Sequence, residues 1–179
     1  MLPLDLPGGC RLRLVQEDDA EAIYRVVDAN RAFLAEWLPW VHASSLETIA
    51  EFIGRARRQA EDDNGFQALI VDESGAAAGF IGYHAVDWYN RTTSLGYWLA
   101  EGRQGRGTMT EAVRALTTHA FENWQLNRVE IRVAVGNARS AAIPERLGFT
   151  KEGVLRQAER HGDEFKDNVV YSMLADEWR

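Results

Sequence analysis

The run Gly96-Tyr97-Trp98-Leu99, followed by Gln104-Gly105-Arg106-Gly107-Thr108-Met109-Thr110-Glu111-Ala112, constrains the fold more than any other stretch. It reads as a strand that ends in a glycine-rich turn and opens directly into an amphipathic helix. Met109, Ala112, Val113, Leu116, Ala120 and Phe121 recur along that helix at the spacing of a single apolar face. Such a junction aims unpaired backbone N–H groups, and the positive end of a helix dipole, at one spot. That spot suits a phosphate or pyrophosphate.

The rest of the chain supplies a sheet for this junction. Arg11 to Val15 alternates polar and apolar residues and reads as an opening strand. Asp18 or Asp19 is placed to cap a helix over about 20–30, and a second helix spans about 46–61. Between them lies an aromatic connector, 33–40. Strands follow over 66–71 and 78–86, joined by the turn Asp72-Glu73-Ser74-Gly75, then over 92–99. Residues 128–135 form a period-two strand, with Arg128, Glu130 and Arg132 on one face and Val129, Ile131, Val133 and Val135 on the other. A short helix over about 140–147 ends at Gly148, and strands near 150–158 and 169–174 close the chain. The resulting order, β-α-α-β-β-β-α-β-α-β-β, predicts an α+β (mixed α/β) domain over 1–179. Its mainly antiparallel sheet of about seven strands is flanked by helices.

Composition narrows the class. At 179 residues the chain suits one domain with a substantial core. No apolar run approaches the ~20 residues of a membrane span, and the N-terminus lacks the pattern of a secretory signal. With a single cysteine, Cys10, an internal disulfide and a multi-cysteine metal site are both excluded. The cytoplasm is the expected compartment. The four histidines show no metal-ligand spacing, so no metal is expected. A net charge of −7, from 27 acidic and 20 basic residues, argues against nucleic-acid binding and mildly favours a cationic substrate such as an amine.

Two familiar phosphate motifs fail here. Gly102 and Gly107 match the outer glycines of a P-loop, but Thr108 stands in place of its lysine. Gly105-Arg106-Gly107 begins a dinucleotide fingerprint, but Thr110 replaces its last glycine and no βαβ repeat surrounds it. The pattern that fits is Gln-x-x-Gly-x-Gly/Ala, with Gln104 and Gly107 in place and Met109 at the final small position.

With the second cluster Asn137-Ala138-Arg139-Ser140 running into Leu147-Gly148-Phe149, the chain resembles the GNAT superfamily of acyl-CoA-dependent N-acetyltransferases over nearly its whole length. The resemblance implies acetyl-CoA as co-substrate. It implies that the amides of Gln104, Gly105, Arg106, Gly107, Thr108 and Met109 hold the CoA pyrophosphate, with Arg103 and Arg106 adding charge. It also implies cofactor contacts from Trp98, Leu99, Ala100, Asn137 and Ser140. The pantetheine arm would lie between strands splayed apart near Gly96–Ala100 and Arg132–Gly136, and a backbone N–H near Leu99 or Ala100 would polarise the thioester carbonyl. Met109 is expected to turn its side chain into the core. Thr108 and Glu111 have capping-box spacing, and Glu111 is expected to point away from the ligand.

Thioester aminolysis needs a neutral amine, an oxyanion donor and a proton for the departing thiolate. Many relatives place a tyrosine four residues before the Gly of Gly-Phe; here that residue is Pro144, which has no proton to give. Ser140 is the next candidate acid, and equally a candidate helix N-cap. The missing tyrosine and Asn-x-x-Ser resemble the ribosomal-protein N-terminal-alanine/serine acetyltransferase type. So do Gly-Tyr-Trp-Leu, Met-Thr-Glu-Ala, Glu36-Trp37-Leu38-Pro39-Trp40 and the segment from Glu152 to Glu159. That resemblance places the general base at Glu159. An α-amino group titrates near 7.7–8.0 and lysine near 10.4, so at neutral pH only roughly a tenth and under a thousandth, respectively, is ready to attack. One carboxylate therefore suffices for a protein N-terminus.

Trp37 and Trp40 are candidates for one wall of an acceptor groove or for the core, and Trp88 and Tyr89, on a turn with Asn90, for a second wall. A small-molecule amine (polyamine, amino acid or drug) is the alternative acceptor, and a non-catalytic acyl-CoA-binding module the alternative of another class. Six tryptophans and the family habit of pairing subunits point to a homodimer.

Overall fold

The computed structural model describes residues 2–179. Eight strands form one sheet: β1 (Leu4–Leu6), β2 (Cys10–Leu14), β3 (Gln67–Val71), β4 (Ala77–Asp87), β5 (Thr92–Leu99), β6 (Arg128–Ala134), β7 (Thr150–His161) and β8 (Glu164–Leu174). Their order across the sheet is β1-β2-β3-β4-β5-β6-β8-β7, and every neighbouring pair is antiparallel except β5–β6. Five helices flank it: α1 (Ala20–Ala29), α2 (Arg31–Ala35), α3 (Leu46–Glu61), α4 (Thr108–Glu122) and α5 (Ala138–Arg146).

Each face of the sheet carries its own core. On one, α4 sets Ala112, Val113, Leu116 and Ala120 against Ile81, Tyr83, Leu95, Val129 and Ile131. On the other, Ile23 and Val27 of α1 and Ile49 and Ile53 of α3 cover Leu69, Val71 and Phe80. Fully burying one such aliphatic side chain contributes about 1.5–3 kcal/mol, so these two stripes hold the helices in place. Met109 is 6% exposed and belongs to the first core, as its place on the apolar stripe predicts.

Several expected boundaries shift for local reasons. The expected seven strands become eight because β1, too short for a periodic signal, pairs with β2 through Leu4↔Leu12 and Leu6↔Cys10. Asp19 does not cap α1 with its side chain: its carboxylate is taken by Arg13, at 2.7 and 2.6 Å, and by the Gln16 amide. Val135 lies beyond the end of β6 and is 52% exposed. β7 and β8 run longer than expected, because their outer halves are exposed on both faces and lack apolar alternation. The aromatic connector folds as α2 and a 3-10 turn over Pro39–Ala43.

Candidate active site

Strands β5 and β6 are paired only from Thr92↔Arg128 to Leu95↔Ile131. Beyond that point β5 stays with β4 and β6 with β8, so the two diverge. The Ala100 N–H donates to Ala78 O at 2.8 Å, which fixes the phase of the β4–β5 ladder. Since hydrogen-bonding directions alternate along a strand, Gly96 and Trp98 face β4, while Tyr97 and Leu99 present their N–H and C=O to the gap. By the same alternation, the Val135-to-Asp167 bond (2.8 Å) leaves Arg132 and Ala134 facing the gap from β6. The fork thus has two half-ladders able to pair with an extended, amide-bearing arm. Of the two amides expected near the thioester, Ala100 has spent its N–H on β4, which leaves Leu99 with an N–H facing the gap.

At the open end of the fork lies the glycine turn. Gly105 (φ 76°) and Gly107 (φ 81°) are both left-handed, a conformation costly for residues with a Cβ, and a Cβ at either would meet nothing within 4 Å. Gly107 is the N-cap of α4 and offers no side chain to it. The capping box expected from Thr108 and Glu111 does not form. The Thr108 hydroxyl donates to Pro7 O at 2.8 Å, and Glu111 pairs with Arg114 at 3.3 Å. Among the described residues no acceptor serves the amides from Gly105 to Thr110, so six N–H groups converge on open space at the positive end of a 15-residue helix. The cleft running from this turn into the fork encloses about 1360 Å³. Free amides, left-handed glycines and a strand gap of this shape fit a phosphorylated ligand with an extended arm.

Arginines ring the turn in different states. Arg103 is committed to Asp72, whose carboxyl is held below the usual range by the Ser74 hydroxyl, by backbone amides and by Arg103 itself. It therefore adds less charge than the sequence suggests. Arg106 forms no ion pair among the described residues and lines the cleft. Arg139 reaches from α5 to Gln104 Oε1 at 3.1 Å, and Gln104 Nε2 donates to Leu99 O at 3.4 Å. Arg146 donates to the Thr110 hydroxyl at 2.9 Å. Neither Arg139 nor Arg146 was assigned a role from the sequence, where they are indistinguishable from solvated surface charges.

Ser140 faces the cleft from α5, and it is not the cap of that helix. Asn137 is: its side-chain oxygen accepts the Ser140 N–H at 3.1 Å, and the helix starts at Ala138. The Ser140 hydroxyl is left to contact the Tyr97 hydroxyl at 3.3 Å. Tyr97 in turn donates to the Ser140 carbonyl at 3.2 Å, and burial pushes its own pKa well up. Pro144 is buried within the helix.

Glu159 is half-buried on β7, with Oε2 3.3 Å from His161 Nε2, and it does not line the cleft. It faces Lys166 across the hairpin, and the Lys166 ammonium donates to Glu36 O at 2.8 Å and lies 5.1 Å from the Trp37 ring centre. Trp37 and Trp98 do line the cleft. Trp40 does not line it and packs against Trp98, with ring centres 6.4 Å apart. Trp88 and Tyr89 are not brought to the cleft of their own chain. They sit in the turn between β4 and β5, before Thr92, which is itself seven residue steps or roughly 23 Å from Leu99, and there Trp88 packs edge-on against Trp124 and Tyr89 is 95% exposed.

Known proteins share this architecture. Residues 10–150 match the family model described as an acetyltransferase (GNAT) domain. The "Putative ribosomal N-acetyltransferase YdaF" of Bacillus subtilis (strain 168) is 40% identical over 93% of this chain and 92% of its own. RimL, a ribosomal L7/L12 alpha-N-protein acetyltransferase solved with coenzyme A, superposes with a TM-score of 0.90 at 27% identity, covering 98% of this chain and 99% of that one. The microcin C7 self-immunity acetyltransferase MccE, solved with acetyl-CoA and AMP, gives a TM-score of 0.86 at 25% identity, covering 93% of each chain. The fork, the glycine turn and these likenesses agree: the chain belongs to the GNAT family of acetyltransferases.

Proposed function

We propose that this enzyme transfers the acetyl group of acetyl-CoA to the α-amino group of a protein N-terminus, with a ribosomal protein as the acceptor class. The observation that carries the cofactor half is the fork itself. Six unused amides at its mouth and the two strand edges that face each other across the gap within it match a pyrophosphate followed by an amide-bearing thioester arm. The ribosomal relatives, among them RimL with its bound coenzyme A, support the acceptor half.

In this reading the Leu99 N–H hydrogen-bonds the thioester carbonyl, and Glu159 takes the proton released by the attacking amine, directly or through one water. As the C–N bond forms, the C–S bond breaks with its electron pair going to sulfur. Ser140 donates its hydroxyl proton there and recovers one from water. Glu159 pairs across the hairpin with Lys166, whose ammonium lies over Trp37, so the acceptor would enter beside that contact with Trp37 as one wall. The whole chain would act as one unit in the cytoplasm. A homodimer is part of the same reading, supported by the exposed outer strand β7 with Val154 and Leu155 at its surface. Sedimentation showing only a 20.2 kDa species at micromolar concentration would remove that part.

The test is acetyl transfer from acetyl-CoA to N-terminal Ser and Ala peptides, read by mass spectrometry beside a panel of small amines. Peptide acetylation is the expected outcome. Preference for a small amine would favour a second reading, supported by the likeness to MccE.

A further inference from the structure

A serine in a helix can turn its hydroxyl back onto the carbonyl three or four residues earlier, or outward. Ser140, third in α5, turns outward: its hydroxyl is turned to Tyr97 across the fork. The cause lies four residues on. Pro144 has no N–H, so the Ser140 carbonyl loses its helical donor and stands free inside a partly buried wall. The Tyr97 hydroxyl fills that vacancy, donating to Ser140 O at 3.2 Å. With its single proton so engaged, the Tyr97 oxygen can only accept from Ser140 Oγ, at 3.3 Å. Both distances exceed the usual 2.7–2.8 Å of a hydroxyl bond, so the serine is aimed at the fork and loosely held there.

We propose that Tyr97 is the positioning residue for Ser140, and that Pro144 creates the free carbonyl by which Tyr97 is held. This rests on the reading of Ser140 as donor to the leaving sulfur. Tyr97 alternates with Leu95 and Leu99 on the α4 side of β5, so its ring is anchored in the core while its hydroxyl stands at the fork. Tyr97 is partly buried, and desolvation raises its pKa, which suits it to orient the serine and not to replace it. When sulfur departs, Ser140 Oγ–H swings from Tyr97 to sulfur, and no bond to Tyr97 breaks other than that hydrogen bond.

Two double-mutant cycles test this. In the first, turnover and acetyl-CoA KM are measured for Tyr97→Phe, Ser140→Ala and the pair. Tyr97→Phe should lower kcat about threefold to tenfold, the worth of one hydrogen bond, with KM within twofold, and should add nothing on top of Ser140→Ala. An equal Tyr97→Phe loss in both backgrounds would overturn the positioning role while leaving Ser140 as the acid. Full turnover in Ser140→Ala would overturn the acid, and the positioning role with it. The second cycle reads melting temperature alone and needs no activity. Pro144→Ala returns an N–H to the Ser140 carbonyl, so Tyr97→Phe should cost less stability in that background than in wild type. Equal costs would mean that Pro144 does not hold Tyr97.

Discussion

Arg139 on α5 and Gln104 at the head of the glycine turn are joined by a 3.1 Å hydrogen bond that crosses the mouth of the cleft. Gln104 passes the restraint on to the Leu99 carbonyl, so one side chain ties the turn to both walls of the fork. Turns with two left-handed glycines are conformationally loose, and this tie fixes the six free amides before a ligand arrives. Gln104→Ala should therefore weaken CoA binding about threefold to tenfold by calorimetry, with little change in melting temperature. Unchanged affinity would make the contact incidental.

Gly107 supplies the sharper test of the turn. Its φ of 81° is strained for any residue with a Cβ, at about 1–2 kcal/mol, while the space around it is open. Gly107→Val should thus still fold, yet place a branched side chain where a pyrophosphate would approach. CoA affinity should fall at least tenfold, well beyond what the modest stability loss explains. A folded variant with normal affinity would remove this loop from the site.

The two ends of Asn-x-x-Ser should separate cleanly. Asn137 caps α5 and Ser140 does not. Asn137→Ala should cost about 1 kcal/mol of stability, whereas Ser140→Ala should depress turnover, leaving the melting temperature and acetyl-CoA affinity near wild type. The opposite pattern would return the cap to Ser140.

These contrasts show what could be read from the chain beforehand. The β5 strand and α3 match their expected bounds because each has a buried stripe and, in α3, the Ser45–Thr48 cap. The glycine turn is legible for a similar reason: glycine adopts its left-handed backbone without the cost that a Cβ brings. What stayed hidden depends on contacts distant in sequence. Thr108 could not be seen to spend its hydroxyl on Pro7, nor Arg103 its charge on Asp72. Pro144 was read only as a missing acid, because its effect on the Ser140 carbonyl appears once Tyr97 stands opposite. Trp88 and Tyr89 are expected near the acceptor from their place on an aromatic turn, and strand direction carries them to the other end of β5.

Stability should fall as the solution is acidified from about pH 7 to 5, and histidine is the cause. Burial and nearby Arg132 lower the His84 pKa, and burial lowers that of His119 despite its bond to Asn123. The folded state therefore prefers both neutral. Their contribution is complete above the unfolded value of about 6.5 and is lost as pH falls below it. Asp19, Asp72, Glu130 and Glu152 are held below the ordinary carboxylate range and are lost only at lower pH, so they do not blur this window. His84→Asn should give a shallower decline in urea-measured stability from pH 7 to 5. An unchanged slope would absolve His84.

Glu159 is the proposed base, and its neighbours define how to test it. Its carboxylate lies 3.3 Å from His161 Nε2, a buried nitrogen with no hydrogen-bond partner, so a test of the base compares both side chains. General-base help is worth about 10²–10⁴ in rate. Glu159→Gln keeps the shape and removes the titrating group, so with an N-terminal Ser or Ala peptide it should lose about that much kcat and flatten the acidic limb. His161→Gln should keep most of the rate, because it leaves the carboxylate in place. Because Lys166 faces Glu159 across the hairpin and lies over Trp37, a proposed wall of the acceptor groove, Lys166→Met should alter peptide KM more than kcat. A near-normal rate and an intact limb in Glu159→Gln, with the limb lost in His161→Gln, would transfer the base to the histidine. An intact limb in both variants would mean that the amine loses its proton before it binds.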